Sequence, residues 1–152
     1  MRLQKSSQFA LYAVLELASD PARQLSTAEI AERYAISSHH LAKVMRTLVR
    51  AGMVQSVRGA GGGYRFAANA GRTTLLDVIQ LFETLEPEFD VGFAAGAGGT
   101  PVGAALQAVS EEINELANAT LQSITLKSLL KYAPRPEPSV LDETLQRMGT
   151  SP

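Results

Sequence analysis

A mainly α-helical chain with one small β-hairpin is what the sequence predicts, and three observations predict it. Apolar residues recur at spacings of three and four through most of the first half, the signature of amphipathic helices. A glycine run, Gly59-Ala60-Gly61-Gly62-Gly63, sits between two short segments of β character and suits a hairpin tip. A longer helical pattern opens at Thr100-Pro101, where proline at the first helical position forfeits a donor that would have no partner anyway.

The first helix is expected over Ser6 to Ala18, with Phe9, Ala10, Ala13, Val14 and Leu17 as one apolar stripe and Asp20-Pro21 stopping it. Ser26-Thr27-Ala28-Glu29 predicts a capping box and a short second helix to about Tyr34, because Ser and Glu can satisfy each other's backbone donors. Ala35-Ile36-Ser37 forms the turn. Ser37 or Ser38 caps a third helix, which ends at Gly52 in the left-handed cap conformation. The hairpin strands are expected over Met53 to Arg58 and Tyr64 to Ala67, and a fourth helix from Thr74 through about Glu83. Three helices followed by a hairpin make a winged helix-turn-helix head.

The long helix from Pro101 places Val102, Leu106, Val109, Ile113, Leu116 and Thr120 at alternating steps of four and three, a heptad-like seam. A surface helix packed on its own head shows similar spacing; the favoured reading is pairing with a second copy. Thr125 caps a further short helix through Tyr132, and Pro134, Pro136 and Pro138 precede a weak one from Val140 to Met148. The organisation expected is residues 1–83 as head, 84–100 as a flexible sensor-type loop, 101–132 as dimerisation helix with its short follower, and 133–152 as a proline-rich tail.

Composition narrows function. The 152 residues are 45% apolar and 19% charged, ordinary for a globular chain, and include no cysteine. That removes disulfides and thiolate ligands together. No stretch approaches the roughly 18 apolar residues of a membrane span, so a soluble cytoplasmic protein without a membrane partner is expected. The formal net charge of -1 hides an asymmetry: residues 1–72 carry ten basic and four acidic side chains, whereas 73–152 carry four and eleven. A polyanion such as double-stranded DNA would meet the first half, since phosphate binding is driven by neutralisation and counterion release.

On the third helix Leu41, Val44, Met45 and Leu48 fall on one face and His39, His40, Lys43, Arg46, Thr47 and Arg50 mostly on the other. In a winged helix, first-turn side chains of this helix lie nearest the bases and the wing reaches an adjacent groove or the backbone. The expected DNA contacts are Thr27, Ser38, His39, His40, Lys43 and Arg46, with Arg58, Gly59 and Gly61 at the wing. Arg58 suits a narrow minor groove, where negative potential is enhanced. The plain alternative is a solvated charged face.

These residues carry a resemblance. Met1-Arg2-Leu3, Phe9-Ala10-Leu11, Ser26-Thr27-Ala28-Glu29-Ile30-Ala31-Glu32 and above all Val57-Arg58-Gly59-Ala60-Gly61-Gly62-Gly63-Tyr64-Arg65 resemble the Rrf2 superfamily of regulators, which includes the iron–sulfur regulators IscR and NsrR. The resemblance covers roughly residues 1–130. His40-Leu41-Ala42-Lys43-Val44 and Glu86-Pro87-Glu88-Phe89 look most like the NsrR branch. It implies a dimeric repressor of an inverted-repeat operator, with Arg58 reading the minor groove and the long helix dimerising. Cluster-binding relatives place three cysteines in the region of about residues 91–105, where this chain has Phe93, Ala94, Ala95, Ala97, Ala104 and Ala105. Gln8 stands where some relatives supply a carboxylate. The expectation is therefore no iron–sulfur cluster and no cofactor.

Other chemistries fit less well. His39 and His40 point about 100° apart on a helix with no acidic residue at a useful spacing, so no metal site is expected. The wing glycines lack the Gly-Lys-Ser/Thr ending of a phosphate loop. Glu111-Glu112 and Glu86 with Glu88 read as solvated charge, and no nucleophile, base and orienting group assemble, so an enzyme is not expected. Two alternatives stay open: a winged helix that docks a protein partner, and a small-molecule pocket between head and dimer helix lined by Phe82, Leu85, Phe89 and Phe93.

Overall fold

The computed structural model describes residues 2–85 and 99–133. Most of the 84–100 loop, with Phe89 and Phe93, and the proline-rich tail lie outside the described residues.

Helix α1 spans Lys5–Ser19, α2 Thr27–Arg33 and α3 Ser38–Arg50; the hairpin pairs β1, Val54–Val57, with β2, Gly63–Phe66. Helices α4, Leu75–Ile79, α5, Pro101–Ser123, and α6, Leu126–Leu130, complete the order. The apolar stripes read from the sequence are the ones buried: Ala10, Ala13, Val14 and Leu17 on α1 meet Leu41, Val44, Met45 and Leu48 on α3 in one core. Burying each large aliphatic chain of this kind contributes about 1.5–3 kcal/mol before chain entropy is counted.

Local chemistry sets where each element starts and turns. Ser26 Oγ accepts from Glu29 N at 3.2 Å and Glu29 Oε2 accepts from Ser26 N at 2.7 Å, the reciprocal box that opens α2. Thr74 and Asp77 repeat it at α4. Between α2 and α3 the chain turns through Ala35, the one described non-glycine residue at positive φ (51°), and Ile36 N donates to Ala31 O at 2.8 Å. Buried Ile36 pins the turn to the core and so fixes the angle between the two helices. Glu16 of α1 receives both the Arg33 guanidinium and the Tyr34 hydroxyl, the latter at 2.6 Å, while the Tyr34 ring stacks on Tyr12 at 4.8 Å.

Three features depart from the sequence reading. The hairpin gains a third member, since Leu25 exchanges both backbone hydrogen bonds with Tyr64 (3.0 and 2.8 Å). A one-residue bridge has no periodicity to read. Regular α4 ends at Ile79, and the chain continues in a tightened turn where Leu81 N and Phe82 N donate to carbonyls three residues back. Most consequentially, α6, grouped with the long helix over 101–132 in the sequence reading, packs on the head. Leu126 is fully buried in the head core, and Leu126 N and Lys127 N donate to Thr73 O and Ala70 O at 2.9 and 2.8 Å. Helix α5 therefore leaves the head and its C-terminal end is tied back to it.

Candidate nucleic-acid interface

Helix α3 buries its apolar stripe and turns a wholly non-acidic face outward: Ser38, His39, His40, Lys43, Arg46 and Arg50 are all exposed. No side chain caps its N-terminus, which leaves the first-turn N–H groups without a side-chain acceptor. Such a terminus, with its partial positive charge, suits a phosphate oxygen. The His39 and His40 rings stand 6.1 Å apart at 50°, side by side on the first turn.

The wing is built by glycines doing two different things. Gly59 and Gly61 have φ of 114° and 75°, conformations costly for any side chain. At Gly62 and Gly63 the obstacle is space: a Cβ would lie 2.6 Å from Val57 O in the first case and 2.6 Å from Leu25 O in the second. Gly62 N donates to Gly59 O at 2.9 Å and closes the tip, which holds exposed Arg58 at the end of β1. Register pairs Val54 with Phe66 and Val57 with Gly63, so the hairpin hangs from the core by buried Val54 and Phe66.

Of the residues singled out in the sequence, Ser38, His39, His40, Lys43 and Arg46 share the exposed face of α3, and Arg58, Gly59 and Gly61 share the wing tip. Thr27 opens α2 and is half-buried, the least accessible of the set. Val102, Leu106, Val109, Ile113 and Leu116 all stand exposed on α5, from 38% at Leu106 to 70% at Val102. About a quarter turn round that helix from the seam, only small residues are buried, Gly103 and Ser110, seven positions apart, and α4 is an element it packs against.

Phe82 is partly buried against the head core and lines a cavity of about 280 Å³ between α1 and α3, with no α5 residue on its wall. Phe89 and Phe93, which complete the pocket expected at the head–dimer-helix junction, lie outside the described residues. Lys5, Ser6 and Phe9 of α1 share that cavity with His40, Lys43, Val44 and Thr47 of α3. Lys5 and Phe9 were missed as partners of the recognition helix because the two segments are far apart in sequence. Arg50 extends the cationic face by a further turn and was legible from its helical phase.

A tight helix–turn–helix with a cationic third helix, a glycine-tipped hairpin beside it and a long helix leaving the head define a winged-helix DNA-binding regulator, not an enzyme. The family described as Rrf2, iron-dependent transcriptional regulator, matches residues 3–132, and the chain belongs to it. It is 53% identical over 131 residues to a Rhodopseudomonas palustris protein named as the HTH-type transcriptional regulator BadM, covering 86% of this chain and 82% of that one. Among solved structures, T. potens IscR superposes with a TM-score of 0.70 at 28% identity, covering 91% of this chain and 93% of the other. CymR of B. subtilis, titled the global cysteine regulator, gives 0.70 at 26% identity over 88% of this chain and 99% of that one.

Proposed function

We propose that the chain acts as a homodimeric cytoplasmic repressor that grips an inverted-repeat operator, with α3 in the major groove and Arg58 in the flanking minor groove. The observation that carries this reading is the pairing of two surfaces on one chain: an exposed cationic face on α3 and an exposed apolar seam on α5. One recognition helix binds weakly, and two-fold pairing supplies a second half-site about one helical turn, ~34–36 Å, away. Within the family we place the chain nearest the NsrR branch, on the segment His40-Leu41-Ala42-Lys43-Val44 that forms the first turns of α3.

The family's description speaks of iron, and the donor set of this chain does not fit a thiolate-held cluster. The whole sequence has no cysteine, and among the described residues no group of three or more His, Cys, Asp or Glu could hold a metal ion. Regulation in this reading is independent of such a cluster.

The test is operator selection from random duplexes followed by gel-shift titration across salt. Nanomolar binding with log K falling steeply against log salt, by about 0.9 per neutralised phosphate, is expected. Arg58→Ala should weaken the selected operator by about 1–3 kcal/mol. Micromolar association insensitive to salt would end the reading.

A further inference from the structure

We infer that the cavity between α1 and α3 is a binding site for a small carboxylate with an apolar body. Its walls divide by chemistry. Phe9, Val44 and Phe82 give it an apolar lining, and Lys5, His40 and Lys43, all exposed, supply cationic or proton-donating groups. No carboxylate lines it, and among the described residues none of the three makes an ion pair. Glu83, the residue after Phe82, is occupied at the start of α1, where its oxygens accept from Gln4 N at 3.1 and 3.3 Å.

A second cavity shows the contrast. Between α1 and α2 lies a space of about 310 Å³ whose Arg23 and Arg33 share its wall with Glu16, Glu29 and Glu32. Cations there are already answered by carboxylates; in the α1–α3 cavity they are not. A volume of about 280 Å³ stands at the small end of ligand pockets, on the order of 300–1,000 Å³, and suits a small occupant. A phosphodiester would engage the cations and leave Phe9 and Phe82 uncovered, whereas an apolar-bodied carboxylate uses both parts of the wall. The link to regulation rests on the DNA reading above: His40 in the first turn of α3 and Lys43 in the second are offered to the duplex, so the ligand and the operator compete for them. Linkage makes each weaken the other by the same factor.

The chain has two histidines, so imidazole nitrogen–proton correlation spectra of the uniformly labelled full chain contain two ring signal sets, assigned with His39→Gln. Titration with 3-phenylpropionate should shift the His40 set saturably and the His39 set far less. Lys5→Gln should weaken 3-phenylpropionate binding about tenfold. The neutral 3-phenylpropanamide should bind at least about tenfold more weakly, and inorganic phosphate should not displace the carboxylate. No saturable shift at millimolar 3-phenylpropionate, equal shifts from phosphate, or full binding in Lys5→Gln would overturn the site. Duplex binding without ligand is read separately by gel shift, so loss of the DNA reading and loss of this site are distinguishable.

Discussion

Ala35 holds a left-handed backbone, φ 51°, at the turn that orients the recognition helix. That conformation costs an L-residue about 1–2 kcal/mol, and glycine would escape it but would lose about 0.4–1 kcal/mol through its freer unfolded chain. Ala35→Gly should therefore leave stability within about 1 kcal/mol of the parent or slightly above it, while Ala35→Val, whose branched side chain fits this region worst, should lower it by more than about 1 kcal/mol. Urea denaturation measures both, and equal losses from the two variants would show that φ is not what matters there. Ser7 poses a different question, because its hydroxyl is fully buried with no hydrogen-bond partner among the described residues. An unsatisfied buried hydroxyl costs about 1–3 kcal/mol, so Ser7→Ala should stabilise the head. A clear fall in the urea midpoint would reveal a partner for that oxygen.

At the scale of the element, α2, α4, α5 and α6 open on caps legible in the sequence, the Ser26–Glu29 box most clearly, whereas α1 opens without one and the Ser37 or Ser38 cap expected at α3 does not form. Both hydrogen bonds from Ser26, backbone first and side chain second, hold the Glu29 carboxyl below the usual carboxylate range, with Arg23 helping, although partial desolvation opposes them. A depressed folded-state pKa means stability that is present above the unfolded pKa and lost as pH falls through the folded one. Glu29→Gln should accordingly be less stable than the parent at neutral pH, and the two should converge in acid once Glu29 is protonated. A gap that persists unchanged at pH 2 would exclude the charge as its source. The wing was legible too, but only as a glycine run. Its division of labour was not, because the close approach of Gly63 to Leu25 joins segments separated by the whole helix–turn–helix. Gly63→Ala should cost more than Gly61→Ala, by about 1 kcal/mol or more, since the first collides with backbone and the second meets open space and strain alone. Thermal melts of the two variants decide the order. The same non-locality hid the place of α6 in the head and the meeting of Lys5 with His40, whereas the exposed face of α3 was visible from helical phase alone.

Across the whole molecule, cationic and acidic residues are segregated along the chain, and α5 stands between the head and its own returning end. A net charge of +6 over residues 1–72, followed by −7 over residues 73–152, favours a polyanion at the first half of the chain. In the proposed dimer, pairing through α5 would decide how far apart two heads stand. The seam itself makes the strongest demand: Val102, Leu106, Val109, Ile113 and Leu116 leave apolar surface in water along most of a 23-residue helix. Covering it returns about 25 cal/mol for each Å² removed from water. Ile113 is 45% exposed and lies outside the core of the head, so a charge there leaves the head's packing untouched and is desolvated only in a dimer. Ile113→Asp should sediment as a monomer at micromolar concentration, keep the parent's helical circular dichroism, and lose about a hundredfold or more in affinity for a full inverted repeat while retaining weak, salt-sensitive duplex binding. A variant that still sediments as a dimer would move the pairing surface off this seam, and one that loses helicity would show that α5 supports the head rather than a second copy.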